Sequence, residues 1–541
     1  MDDTLPVNLV TWLLALVPIV LLLVLLAVAR WKAPEAGPVG MFAAAVIALL
    51  TFQTPWETLA VAAGKGIWDA VFILFVIWPA LLLYRVGRAA GAFEALRRGL
   101  SAYSRNHVFL VLAFGWVFAS FMQGIAGFGA PIAIVAPLLL ALGVRPVYAV
   151  AIPLIGHAWA NMFGTLAVGW IATLQVIDLE DELETAVVTG VLLWVPSVAA
   201  GLMIAWMAGR GAGLRMAWPL VVIIGAIHGG IQIGIMFWEP LLSTFLAASV
   251  ALVALYPLSR WDRYSRFASE VKRAPAMEEN AAQKEEQDEQ DAGPTMGLGM
   301  ALMPYGVLTV VAVLTLAIEP IQEFLEQVAI GPPFPEVETG YDLVFEAEEQ
   351  FSPITPLTHP GTPLLIAAVV TYLVYRSRGY LAAQEKRRGS QPIWSSLAED
   401  ATPASVAILA FLVLAAIMEH SGQITVLARG IDEVSPPVLY AFAASFIGLL
   451  GAFMTSSNTS SNVLFAPLQQ GVAESAGLSE AAIIGAQSTG GALGNAIAPA
   501  NIVLGTGTAG IVGREGEVLR KTLPWTIVTT AIVGLLTLLF I

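Results

Sequence analysis

The chain has 541 residues, 57% of them hydrophobic and only 12% charged, with a mean hydropathy of +0.77. A soluble protein carries roughly a quarter charged residues, so polar side chain is too scarce here to cover a soluble core, and lipid must cover much of the apolar surface. The net charge of −14 with no basic face disfavours nucleic-acid binding, and the absence of cysteine excludes disulfides, thiolate metal sites and Fe–S clusters.

An apolar stretch from about Val7 to Val28 opens the chain. It is too long for the core of a secretory signal, and Arg30 and Lys32 follow it, so it reads as a retained first span. Spans are predicted over 7–29, 38–55, 66–84, 185–208, 216–235, 238–257, 299–318, 362–379, 401–419 and 522–541. Two further regions, 107–177 and 437–511, are apolar but interrupted by Gly, Pro, Ser and Asn, and each is too long for one crossing. The fold class is an all-α polytopic membrane protein of about 12–14 transmembrane spans.

Basic residues orient these spans, because cytoplasmic loops are enriched in Lys and Arg. Arg30 and Lys32 fall inside, as do Arg85, Arg88, Arg97, Arg98 and Arg105, then Arg210 and Arg215, Arg260 to Arg273, Arg376 to Arg388, and Arg514 to Lys521. The N-terminus is then outside, with Arg429 the one mild exception. The acidic stretches 178–184 (DLEDELE) and 319–361 fall outside. Solvated loops and adaptation to a saline habitat both account for the acid. The segment 319–361 reads as a lid or a subunit contact, and 258–298 as a polar, partly disordered cytoplasmic loop.

With that orientation, the first interrupted region runs from inside to outside and the second from outside to inside. Each holds an apolar arm, a polar or Gly-rich break and a second arm, then a long segment with its own break. The first region breaks at Gln123–Pro131 and at His157–Thr165, the second at Thr455–Asn462 and at Gln487–Asn495, about thirty residues apart in both. Like patterns in opposite orientation are the mark of an inverted repeat, with paired re-entrant hairpins and broken helices around a midplane substrate site. The expected organisation is N-terminal spans over 1–60 and a first transport repeat over 61–184 (hairpin 107–145, broken helix 147–177). Linking spans over 185–257, the loop 258–298, a span at 299–318 and the acidic segment 319–361 follow. After them come a span and basic loop over 362–400, a second transport repeat over 401–515 (hairpin 437–474, broken helix 480–511) and a C-terminal span over 516–541.

The first break reads Gln123-Gly124-Ile125-Ala126-Gly127-Phe128-Gly129-Ala130-Pro131. Its glycines allow a turn and a close approach to a ligand, and Pro131 suits the first turn of a helix whose free N–H groups bind an anion. Helix packing through small residues is the other account. The matching break, Thr455-Ser456-Ser457-Asn458-Thr459-Ser460-Ser461-Asn462, is eight hydroxyl or amide side chains in an apolar region. They suit a carboxylate or a hard cation such as Na⁺, or else a buried hydrogen-bond network. In the second pair of breaks, His157 and Asn161 precede Gly164 and Thr165. Their counterparts are Gln487, Ser488, Thr489, Gly490, Gly491, Gly494 and Asn495, with Pro499 and Asn501 behind. His157 is the one clearly titratable side chain in the four breaks. It is either a hydrogen-bonded structural histidine or a proton site and anion contact. His228 reads as packing.

These stretches carry a resemblance. GFGAPIAIVAPLLLALGVRP (127–146), FGT (163–165), SNTSSNVLFAPLQ (457–469) and STGGALG (488–494) resemble the L-lactate permease family of bacteria and archaea, and the likeness runs along nearly the whole chain. The resemblance implies a many-span symporter in a prokaryotic cell membrane for lactate, glycolate and related 2-hydroxy monocarboxylates, usually with protons. It extends to the wider ion-transporter fold class, in whose sodium-coupled members Ser-Asn-Thr motifs like Ser457-Asn458-Thr459 bind sodium and the substrate carboxylate. The chain departs from the family at three ionisable positions, with Gln123 for Glu, Asn458 for Asp and Asn495 for Lys; His157 stands where Asn is usual.

The substrate-binding set expected from these breaks is Gln123, Gly127, Phe128, Gly129, Ala130, Pro131, His157, Asn161, Thr165, Ser457, Asn458, Thr459, Ser460, Ser461, Asn462, Ser488, Thr489, Gly490, Gly491 and Asn495. Ion coupling is expected at His157 or at Ser457, Asn458 and Thr459, with H⁺ or Na⁺ as coupling ion and no other cofactor. The half-helix N-termini at Ala130–Pro131 and near Ser460–Asn462, each with roughly half a positive charge, face a small carboxylate. The bilayer is the other partner, and a homodimer is the assembly to test. The chain contains no GxxxxGK[ST] loop for an ATP-driven pump, and no Gly-x-Ser-x-Gly or His-Glu-x-x-His for an intramembrane protease. An anion channel and a non-transporting sensor remain as rival classes; saturable counterflow excludes the first and flux excludes the second.

Overall fold

The computed structural model describes residues 5–541 apart from 103, 128, 267, 269, 270, 272–274, 278–295, 342 and 389–391. Phe128 and much of the polar segment 258–298 lie outside the described residues.

Among the described residues the protein is built of helices with one short antiparallel hairpin. The first part comprises α1 (Leu9–Leu23), α2 (Ala33–Leu50) and α3 (Trp56–Ala89). It continues with α4 (His107–Ile125), α5 (Ala130–Ala141), α6 (Pro146–Gly156) and α7 (Gly164–Leu174). Then come α8 (Glu182–Met236), α9 (Pro240–Ser259) and α10 (Leu298–Ala317). After the hairpin come α11 (Gly361–Ser377), α12 (Ile393–His420), α13 (Gln423–Val434) and α14 (Pro437–Thr455). The chain ends with α15 (Asn458–Ala476), α16 (Glu480–Gly494), α17 (Pro499–Thr508) and α18 (Glu515–Thr537). Nine helices among the described residues are long and apolar enough to cross a membrane.

Local sequence starts and stops these helices. Asn8 caps α1 by accepting from the N–H groups of Val10 and Thr11, while Thr11 Oγ1 accepts from the Asn8 N–H, a capping box. Asp181 caps α8 through the Glu184 N–H at 2.8 Å. Within α8 the helix breaks at Gly209 and Arg210, where Arg210 has φ +53, so two spans are joined by a sharp kink. That kink separates the spans expected at 185–208 and 216–235.

On one side α3 and α12 form an extensive pairing, with α2 and α11 packed beside them. Gly66 makes the close approach possible, because a Cβ there would come within 2.7 Å of the Val413 Cα. Arg85 Nε donates to Asp400 Oδ2 at 2.6 Å and ties α3 to α12 through a charge pair.

The acidic segment 319–361 folds back on α3 as a hairpin. Ile330 opposes Ile354, Phe334 opposes Glu348, and β1 (Val337–Glu338) pairs antiparallel with β2 (Val344–Phe345). Thr58 Oγ1 donates to the Glu338 carbonyl at 2.7 Å and Trp68 Nε1 to that of Ser352 at 2.9 Å. Lys65 Nζ donates to Glu348 Oε1 at 2.7 Å. Ser352 Oγ in turn donates to Gln175 Oε1 at 2.8 Å, just past the end of α7. The hairpin therefore bridges α3 to the broken helix. Its strands are too short for a period of two to be read from the sequence.

The four breaks fall differently from one another. The first lies between the end of α4 at Ile125 and the start of α5 at Ala130, and the third is only Ser456 and Ser457 between α14 and α15. The second opens with a 3₁₀ turn at Ala158–Asn161 and then turns left-handed at Thr165, Leu166 and Ala167, with φ of 54, 50 and 61°. Left-handed backbone costs an ordinary residue roughly 1–2 kcal/mol, so surrounding contacts must hold this turn. The Trp170 N–H closes it on the Met162 carbonyl at 3.2 Å.

The fourth break corrects the expectation. α16 runs unbroken through Gln487, and the break follows it at residues 495–498. The glycines of STGGALG serve helix contact instead. A Cβ on Gly490 would overlap the Ser445 carbonyl oxygen, and one on Gly494 would lie 2.6 Å from that of Leu449. A Cβ on Gly448 of α14 would overlap the Gln487 carbonyl. Small residues on both faces let α14 and α16 approach backbone to backbone, and the ladder stays intact.

Candidate functional site

All four breaks converge on one cavity. Gln123, Gly127, Gly129 and Ile132 come from the first break and its following helix. His157, Asn161, Thr165 and Val168 come from the second, Ser456, Ser457, Asn458 and Thr459 from the third, and Asn495 and Asn501 from the fourth.

Short-range contacts set each wall. The Gly127 N–H donates to Thr165 Oγ1 at 2.8 Å, which pins the first break to the left-handed turn. Gly127 has no room for a side chain there, since its Cβ would sit 2.7 Å from that hydroxyl. Gly129 takes φ +87 and starts α5. On the opposite wall Ser456 takes φ +59, and its hydroxyl accepts from the Ala500 N–H at 3.2 Å, joining the third break to the start of α17. Ser457 caps α15 by accepting from the Ser460 N–H at 3.2 Å. Helix α15 thus begins at Asn458, a few residues before the expected Ser460–Asn462.

The electrostatics are simple. Among the described residues no Lys, Arg, Asp or Glu lines the cavity, and His157 is the one titratable side chain on it. His157 Nδ1 lies 2.5 Å from the Pro153 carbonyl oxygen, so that nitrogen carries the hydrogen and Nε2 is left for the cavity. Positive potential comes from backbone: α5 and α15 both present their N-terminal turns here, with roughly half a unit charge each. An anion of modest size fits this chemistry.

The structure gathers ten of the expected residues on the lining: Gln123, Gly127, Gly129, His157, Asn161, Thr165, Ser457, Asn458, Thr459 and Asn495. Ala130, Pro131, Ser460, Ser461, Asn462, Ser488, Thr489, Gly490 and Gly491 lie off it. Several of these build the wall behind. Tyr440 donates to Gln469 at 2.7 Å, Gln469 to Gln487 Oε1 at 3.0 Å, and Gln487 to Ser461 Oγ at 3.2 Å. Asn462 Nδ2 donates to Thr173 Oγ1 at 3.0 Å and Ser488 Oγ at 3.4 Å, linking α15 to α7 and α16. Ile132, Val168, Ser456 and Asn501 are lining residues outside the expected set. Met162 escaped sequence reading altogether, because an apolar residue in an apolar run carries no signal.

A family model described as L-lactate permease matches residues 11–541. The chain belongs to the L-lactate permease family. The chain is 28% identical over 553 residues to the glycolate permease GlcA of Escherichia coli (strain K12), covering 97% of this chain and 95% of that protein. Similar figures hold for the L-lactate permeases of Salmonella typhi, 28% over 560 residues, and Bacillus subtilis (strain 168), 27% over 550, again with 97% and 95% covered. This member of the L-lactate permease family is a multi-pass membrane transporter and not an enzyme. The resemblance read from 127–146, 163–165, 457–469 and 488–494 names the same family, and three of those stretches supply cavity residues.

Proposed function

We propose that this permease imports L-lactate or a related small 2-hydroxy monocarboxylate such as D-lactate or glycolate, by alternating access and symport with H⁺. One observation carries the reading: two helix N-termini meet over an amide- and hydroxyl-lined cavity without a charged side chain among its described residues, in a chain whose relatives are named for lactate and glycolate.

The free N–H groups at the start of α15, on Asn458 and Thr459, hold the carboxylate, and the α5 terminus adds to the potential. His157 Nε2 takes the co-transported proton, so that anion and proton together are neutral and cross without net charge. The α4–α5 and α14–α15 pairs act as re-entrant hairpins of two inverted repeats, and the hairpin on α3 faces outward. Residues 258–298 and the basic loops face the cytoplasm.

A second reading, sodium-coupled carriage of a different carboxylate, draws support from the neutral oxygens of Ser457, Asn458 and Thr459 on the cavity wall.

Labelled L-lactate uptake into proteoliposomes, under imposed proton and sodium gradients in turn, separates the two. Uptake driven by protons supports the first reading. Uptake driven only by sodium replaces it with the second, and no uptake under either removes lactate as substrate.

A further inference from the structure

Asn161 closes the 3₁₀ turn of the second break and lies on the cavity wall, 9% exposed. Its Nδ2 donates to the Ala158 carbonyl at 2.8 Å and to the Ala492 carbonyl of α16 at 3.4 Å. A backbone carbonyl accepts and cannot donate, so these two bonds turn the nitrogen into the protein and fix which end of the amide is left over. That end is Oδ1. Among the described residues no group donates to it, and unlike Asn458 Oδ1 it keeps accessible surface. The surface belongs to the cavity, because α4, α7, α8 and α16 pack around the other sides of the 3₁₀ turn. Asn495, three residues along α16 from Ala492, is oriented in the opposite sense. Asn501 Nδ2 donates to Asn495 Oδ1 at 3.3 Å, which leaves Asn495 Nδ2 as a donor on the same cavity. An oriented acceptor with an oriented donor near it suits a hydroxyl, which gives one hydrogen bond and takes another; a cation would gain from the first and be repelled by the second.

Resting on the reading of the cavity as a 2-hydroxy acid site, we infer that Asn161 is the specificity-determining residue for the 2-hydroxyl, with Oδ1 accepting its hydrogen. The start of α15 stands against the residue that follows, since Asn458 Nδ2 lies 3.5 Å from Met162 Sδ. The 2-hydroxyl sits on the carbon next to the carboxylate, so a carboxylate held at the start of α15 brings it to the neighbouring amide. Propionate and 2-fluoropropionate have no hydrogen to give at that carbon. Either would displace water from Oδ1 and leave it unpaired, which a polar site rejects far more strongly than an apolar one rejects a methylene.

Competition against labelled L-lactate uptake in proteoliposomes tests this, with and without sodium. Glycolate competes within a few-fold of lactate, while propionate and 2-fluoropropionate compete on the order of ten- to a hundredfold more weakly. Asn161→Leu removes the acceptor and brings the lactate-to-fluoropropionate ratio toward one. A merely structural defect would weaken both ligands alike, because they match in charge and nearly in size. Equal competition by 2-fluoropropionate in the wild-type protein overturns the inference while leaving lactate transport standing. A folded Asn161→Leu protein with an unchanged ratio overturns the assignment to this residue. A wild-type ratio that depends on sodium assigns Oδ1 to an ion and overturns the hydroxyl contact. Should Asn161→Leu not fold or not transport, the smaller Asn161→Ala decides, with the ratio read from the rise in melting temperature that each ligand gives the purified protein. Failure of the transport reading itself looks different, as no labelled uptake by the wild-type protein at all.

Discussion

Gly490 on α16 and Ser445 on α14 touch backbone to backbone, with no room for a Cβ between Gly490 and the Ser445 carbonyl oxygen. In an isolated helix Gly→Ala is worth roughly 1 kcal/mol in favour of alanine. Here the sign reverses, because the obstacle is backbone and cannot rotate away. Gly490→Ala should lower the melting temperature by the equivalent of about 1–3 kcal/mol of overpacking or more. Gly507→Ala on α17, where nothing lies within 4 Å of the new Cβ, is the control and should raise it by the equivalent of up to about 1 kcal/mol. Thermal unfolding in detergent reads both.

Asn458→Ala should abolish lactate uptake while the folded protein survives. Among the described residues the side chain makes one long hydrogen bond, to a sulfur, so its loss costs about 1 kcal/mol of stability. Normal transport by a folded Asn458→Ala protein would remove α15 from the substrate site.

His157→Gln keeps a polar side chain at the cavity but cannot carry a charge. Uptake driven by a proton gradient should be lost, while exchange of labelled for unlabelled lactate at equal pH persists. The wild-type protein should take up lactate without response to an imposed potassium diffusion potential, because proton and anion together are neutral. A potential-driven rate would require a further charge.

Lys65 is 8% exposed and Glu348 41% exposed in their ion pair, with the ammonium also 4.9 Å from the Phe351 ring centroid. Removing the carboxylate leaves a buried cation, which costs about 3–5 kcal/mol in a fully buried pair. Because Glu348 is partly in solvent, Glu348→Ala should cost about 1–3 kcal/mol. Lys65→Met in the same background should recover part of that loss, as a double-mutant cycle on melting temperatures would show.

Glu239, in the turn between α8 and α9, accepts from the Leu241 N–H at 3.1 Å. Burial pushes its carboxyl up from 4.5 to about 7, helped by the charge of Glu326 and opposed by that hydrogen bond. The folded protein then binds more protons than the unfolded chain between pH 4.5 and 7. Stability from this group falls as pH rises through that window and is level on either side. Glu239→Gln should remove that part of the slope in a melting temperature series.

The sequence alone determined that the chain lies in a membrane, where its apolar runs fall, and that four polar or Gly-rich interruptions belong together. Those features are local: length, periodicity and the cost of polar groups in lipid act residue by residue. Ten cavity residues were legible for that reason, since Gln123, His157 and Asn458 stand out against apolar neighbours. Tertiary structure decided what locality cannot. Gly490 and Gly491 read as a break until the neighbouring helix showed them to be a contact face. Ser461 and Asn462 look like ligands in sequence and are used up between helices. Met162 looks like any core residue until two amides from a segment some 300 positions away meet at its sulfur. A glycine, an amide or a thioether has no fixed role of its own; its role is set by the partner that folding places within hydrogen-bond reach.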